Sequence, residues 1–144
     1  MKIEYNNLYT HYVLNTLGRH FMIPEENRIL IEKYITGIVN NNSSKLYAIY
    51  ANPEHVHFLV SRAATFSEEK LATIIAESSE HFINENNLAI GQFKWQQYAS
   101  AFSVSKSDID MICKYILNQP DQHKKVSFAE ENEQFLKHYQ DTLK

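Results

Sequence analysis

No internal disulfide can brace this chain, because Cys113 is its only cysteine. A disulfide scaffold is therefore excluded, and a reducing, cytoplasmic setting is the expectation. The thiol itself reads as a small buried hydrophobe on a helix. Glycine and proline are nearly as scarce, three of each in 144 residues. Collagen-like, linker and low-complexity segments are thereby excluded, and 1–144 reads as one domain. No apolar run approaches the ~18 residues that a membrane helix needs, so no membrane partner is expected. Residues 1–7 are polar and lack the apolar core of a signal peptide. A basic excess is missing too. The net charge of −3 argues against an unspecific nucleic-acid binder but leaves room for local basic patches.

Aromatic residues are plentiful instead, with nine Tyr and eight Phe. Most belong in a core. Any others are available as stacking platforms for unpaired bases.

The most informative stretch is Glu54-His55-Val56-His57-Phe58-Leu59-Val60. Val56, Phe58 and Val60 alternate with His55, His57 and Leu59, the pattern of a strand with one buried face. Side chains two apart on a strand share a face, so His55 and His57 point the same way. Two neutral imidazoles side by side form a half-site for a divalent metal. An H-x-H pair also fits surface or hydrogen-bonded histidines that hold no metal.

In order, the chain reads as follows. Residues 8–16 form a strand. Pro24-Glu25-Glu26 opens a helix with Leu30, Ile31, Tyr34, Ile35 and Ile38 on its apolar side. Strands at 46–50 and 55–61 flank the Asn52-Pro53 turn. Ser67 caps a second helix carrying Leu71, Ile74, Ile75 and Phe82. At least one further strand is expected within 92–105: Phe93, Trp95 and Gln97 alternate as a strand would, and residues 101–105 are the stronger candidate. Ser107, with Asp110 three residues on, predicts the start of a third helix with Ile109, Ile112, Cys113 and Ile116 on one face. Pro120 ends it near Gln119. Ser127 and Glu130 predict a C-terminal helix with Phe128, Phe135 and Tyr139 on one side. The order β-α-β-β-α-β is the split-βαβ, ferredoxin-like pattern of an α+β fold. It predicts an antiparallel sheet with helices on one face, the other face open for a site, and added C-terminal helices.

Tyr115 and Gln119 lie one turn apart, on the shoulder of the third helix's apolar stripe. A helical tyrosine there also fits a plain amphipathic boundary residue. Taken with His55-x-His57, the segment Trp-Gln-Gln-Tyr-Ala-Ser-Ala-Phe-Ser-Val-Ser at 95–105, and His123-Lys-Lys-Val-Ser-Phe-x-Glu130, the pattern resembles one family. That family is the single-tyrosine transposases of the HUH endonuclease superfamily, in particular the insertion-sequence-200-like and REP-associated ones. The resemblance runs from the first strand to about Tyr139. It implies that His55, His57 and Gln119 bind a divalent metal, Mg²⁺ or Mn²⁺, and that Tyr115 is the nucleophile. It implies cleavage of single-stranded DNA near hairpins through a 5′-phosphotyrosine that frees a 3′-hydroxyl. It also implies a homodimer in which the tyrosine helix of one chain can complete the other's site. Glu54 stands where the family commonly has Asp, and Tyr98-Ala99-Ser100-Ala101 lacks the glycines usual there.

Candidate DNA contacts are Arg62, Lys94, Lys106, Lys114, Lys124 and Lys125, which also fit an ordinary solvated face. His123 reads as a phosphate contact or surface residue; His11, His20, His81 and His138 read as structural or exposed. Trp95 and Phe102 read as core. Two other functions fit parts of the pattern. A non-catalytic ferredoxin-like binder of single-stranded nucleic acid would prefer exposed aromatics where the central strands carry histidines. A zinc hydrolase would want an acidic third ligand at matching spacing, which is lacking.

Overall fold

The computed structural model describes residues 1–121 together with Glu130, Glu133 and Lys137. The C-terminal capping box, Phe128, Phe135, Tyr139, His123, His138, Lys124 and Lys125 lie outside the described residues. Glu130, Glu133 and Lys137 are helical and exposed.

Four strands build the sheet: β1 (Tyr9–Asn15), β2 (Lys45–Ala51), β3 (His55–Ser61) and β4 (Ser100–Val104). Their order is β2-β3-β1-β4, and every neighbouring pair is antiparallel. Helices α1 (Arg28–Asn41) and α2 (Glu68–Glu85) connect them, and α3 (Ile109–Leu117) follows β4. This is the expected ferredoxin-like path.

One core lies between the sheet and the α1/α2 layer. From the sheet it takes Tyr12, Leu14, Val56, Phe58 and Val60, and from the helices Ile31, Ile35, Ile38, Leu71, Ile75 and Ile83. Leu30, placed on the apolar stripe by spacing, is 47% exposed instead. The Ser67 cap forms as expected, its hydroxyl accepting from the Lys70 N–H at 3.0 Å. Trp95 is buried as expected, and its Nε1–H donates to Ser79 Oγ at 3.0 Å.

The other face of the sheet departs from expectation. It is not open, because α3 lies across β2 and β3 and buries Ile112 and Ile116 against Ala48, Leu59 and Val104. Strand β3 is consequently buried on both faces from His55 to Val60, not on one. Polar and apolar side chains alternate there, yet a second apolar helix covers the polar side. The start of α3 also differs. Ser107 is not its cap; the chain first makes a 3-10 turn over Lys106–Asp108, with Ser105 Oγ bonded to Asp108 Oδ2 at 3.1 Å. The helix ends at Leu117, Asn118 makes a turn, and helical geometry resumes from Gln119 to Asp121.

Candidate active site

The odd-numbered face of β3 presents His55 and His57 towards α3. Both are buried, and their ring centroids are 4.9 Å apart. The turn before them is tightly fixed. The Asn52 N–H donates to the His55 carbonyl at 2.8 Å, and the Glu54 carbonyl accepts from the Thr16 N–H and hydroxyl at 3.0 and 3.1 Å. The polar end of the hairpin is thus anchored to the end of β1.

Glu54 folds back onto its neighbour, with Oε1 2.6 Å from His55 Nδ1. A carboxylate only accepts, so Nδ1 carries the ring proton and Nε2 the lone pair. Asn52 agrees with that assignment: its Nδ2 donates to His55 Nε2 at 3.3 Å. The same amide donates to Gln119 Oε1 at 3.1 Å. Two electron-pair donors, from β3 and from the segment after α3, therefore converge on one –NH₂ group. Gln119 is fully buried, and its own Nε2 reaches the Tyr115 carbonyl at 3.4 Å. His57 is edge-on to the Tyr115 ring, with centroids 5.7 Å apart and planes at 83°. The Tyr115 residue is half-buried, but its hydroxyl oxygen is shielded from solvent.

The structure thus brings together all four residues of the predicted site, His55, His57, Tyr115 and Gln119. Among the described residues, no three His, Cys, Asp or Glu side chains gather as a metal-binding group. The third donor here is a carboxamide. Imidazole nitrogens with an amide oxygen suit a divalent ion, and the Glu54 carboxylate behind His55 is the outer partner that metal-binding histidines characteristically have. The residues present fit the ion.

Three members of this cluster were not assigned a role from sequence. Asn52 reads as turn chemistry and Glu54 as a variant of the family's Asp. His11, read as structural or exposed, is fully buried with Nε2 3.0 Å from His57 Nδ1. Its signal lay in the alternation of residues 8–16, but which strand that face meets depends on register, which the sequence does not state.

The predicted basic contacts that are described, Arg62, Lys94, Lys106 and Lys114, lie on different segments of the chain. Lys94, Lys106 and Lys114 are exposed. Arg62 is buried and committed internally: Nη2 pairs with Glu68 at 2.8 Å and Nη1 donates to the Phe66 carbonyl. Its guanidinium ties the end of β3 to the start of α2. Cys113 is half-buried on α3, and burial, with Asp110 nearby, pushes its thiol pKa up.

Among known proteins, the sequence profile of the family described as "Transposase IS200 like" matches residues 4–119. Curated protein sequences give no match. Several solved structures share the fold, among them the following two. A transposase candidate from Deinococcus radiodurans R1 superposes with a TM-score of 0.63 at 20% identity, covering 83% of this chain and 96% of that one. A REP-associated tyrosine transposase bound to a REP hairpin superposes with a TM-score of 0.58 at 13% identity, covering 88% and 74%. At these identities the likeness speaks for the architecture.

Proposed function

This chain belongs to the IS200-like transposase family, and on that premise we propose that it is a metal-dependent single-stranded DNA endonuclease and strand transferase with Tyr115 as nucleophile. The observation that supports this reading best is the gathering of His55, His57, Gln119 and Tyr115 in one cluster between β3 and α3. A simple nucleic-acid binder has no use for that combination, and the face on which it would stack bases is covered.

His55, His57 and Gln119 would hold Mg²⁺ or Mn²⁺, which when bound supplies positive charge against the phosphate oxygens. All three ligands are neutral, so the site keeps a net attraction for an anion. Glu54 holds the His55 ring through Nδ1, so the Nε2 lone pair is set before substrate arrives, and a bound ion would take the place of the Asn52 amide on it. Tyr115 Oη attacks the phosphorus, a tyrosyl O–P bond forms, and the bond from phosphorus to the 3′ oxygen breaks. The phenol gives up its proton and the departing 3′ oxygen gains one, so charge balances. A phenol ionises near pH ~10, so its nucleophilicity at neutral pH depends on its surroundings. Because the hydroxyl is shielded here, the site must rearrange locally for it to meet DNA. The phosphotyrosine conserves the phosphodiester energy, so a second 3′-hydroxyl can reverse the step without ATP. Hairpin-bearing DNA is the proposed substrate, in keeping with the hairpin-bound relative. A homodimer is the proposed working unit.

The decisive assay mixes the protein and Mn²⁺ with labelled hairpin-bearing single strands from its own locus and resolves the products on a denaturing gel. A metal-dependent protein–DNA band that vanishes in Tyr115→Phe is expected. Binding without any adduct would leave the non-catalytic binder instead.

A further inference from the structure

We propose that His11, on the neighbouring strand β1, is a positioning residue that fixes the ring of His57 and dictates which nitrogen it offers to a metal. The inference rests on the metal-site reading above and assigns a role to a residue outside the predicted ligand set.

The geometry starts from the register. Val13 stands opposite His57, and His11 opposite Leu59, in the antiparallel β1/β3 pair. His11 is therefore a diagonal neighbour of His57 on the same face, within reach of a long side chain. Its Nε2 meets His57 Nδ1 at 3.0 Å, with ring centroids 5.2 Å apart and planes inclined by 34°. On its other side the His11 ring stands 6.1 Å from Phe102 of β4. His11 is fully buried between them. An imidazole in the middle of a sheet loses its hydration, and an aliphatic residue would fill that position without the penalty. What the imidazole adds is a directional hydrogen bond to His57.

That bond determines the chemistry of His57. With Nδ1 engaged by His11, Nε2 is the nitrogen that a metal would take. A metal needs the lone pair on Nε2, so Nδ1 must carry the proton and donate it to His11 Nε2, which accepts when His11 is protonated on its own Nδ1. That is the pair of neutral tautomers which a metal on His57 requires of this bond. His55 reaches the same state through Glu54. The two metal histidines are thus aimed by unlike partners, a carboxylate from the same strand and an imidazole from the next. A change of outer partner typically shifts metal affinity by about 10- to 100-fold.

The test uses the full chain as wild type, His11→Leu, His11→Gln and His11→Asn. Two quantities are read: the Mn²⁺ dissociation constant by calorimetry, and the His57 tautomer from imidazole ¹⁵N shifts in metal-free protein. Gln carries its amide about as far out as Nε2, whereas Asn falls short. The expected result is a dissociation constant raised about 10- to 100-fold in His11→Leu and His11→Asn and restored in His11→Gln. His57 should hold the Nδ1–H form in wild type and His11→Gln and lose it in the other two. A folded His11→Leu or His11→Asn with wild-type Mn²⁺ affinity and an unchanged His57 tautomer overturns the proposal. If His11→Leu fails to fold, the Gln and Asn pair decides. Absence of Mn²⁺ binding in the wild type would sink the metal-site reading alone, and the His57 tautomer would still decide the role of His11.

Discussion

Glu54 and Tyr12 show how single side chains here serve different ends. The Glu54 carboxylate meets His55 Nδ1 at 2.6 Å. Glu54→Gln keeps the shape but replaces a charged acceptor by a neutral one. Mn²⁺ affinity should fall by about tenfold or more, read by calorimetry, with little change in melting temperature. Tyr12 is a core residue whose hydroxyl donates to the Glu68 carbonyl at 2.9 Å. Burial pushes its pKa up to about 12, with Arg62 opposing and Glu68 adding to the shift. A free phenol ionises near ~10, and only the neutral form is tolerated inside. Stability from this group is therefore intact below pH ~10 and is lost as pH rises towards the folded value. Tyr12→Phe should lose about 1 kcal/mol at neutral pH and decline less steeply than wild type from pH ~10 upwards, as urea unfolding would show. Equal slopes would mean that the buried phenol does not titrate with folding.

At the scale of elements, α3 is the shortest of α1, α2 and α3. It is nine residues long and keeps only Ile112 and Ile116 buried, whereas α2 has eighteen residues and four buried positions. Isolated helices of this length are unstable in water, so α3 depends on its docking. Ile116→Ala removes a fully buried side chain from that contact. The local cost should be about 2–4 kcal/mol, enough to undock the helix while the α1/α2 core stays closed. Hydrogen exchange should accelerate in α3 but not in β1 or α2, and the DNA adduct should be lost. Uniformly faster exchange would show that the second face is part of one cooperative core. The sequence located this helix by its apolar stripe but not its first turn. Ser107 offered a capping box, yet Ser105 satisfied Asp108 and opened a 3-10 turn instead. Competing short polar side chains two residues apart are not ranked by local chemistry.

For the whole molecule, the matters to weigh are charge and assembly. Net charge is −3, so DNA binding must draw on local cations. Lys106 and Lys114 are both exposed, one before α3 and one within it, beside Tyr115. Each Lys→Glu change should weaken hairpin DNA binding and lower the slope of log affinity against log salt by about one, measured by fluorescence anisotropy. An unchanged slope would return that lysine to the solvated surface. Tyr115 stands beside the His57 of its own chain. Mixing Tyr115→Phe with His57→Ala protein should accordingly yield no adduct, and recovery of adduct in the mixture would show that the sites are shared between chains. Among the described residues no helix is long and apolar enough to cross a membrane.

Much of this was decided locally. The alternation of residues 55–60 made a strand, its period of two put His55 and His57 on one face, and helical spacing put Tyr115 a turn before Gln119; these follow from backbone geometry alone. The element order followed from the same periodicities, and with it the ferredoxin-like path. Strand register and the packing of α3 are long-range choices that no local pattern encodes. They set His11 beside His57, closed the sheet face expected to be open, and turned Asn52 from a turn residue into the donor that joins His55 to Gln119. Arg62 made the point in reverse: its sequence permitted a DNA contact, but only the fold could place Glu68 and the Phe66 carbonyl within its reach. A side chain's type and spacing state what it can do, and its neighbours across the sheet decide which of those things it does.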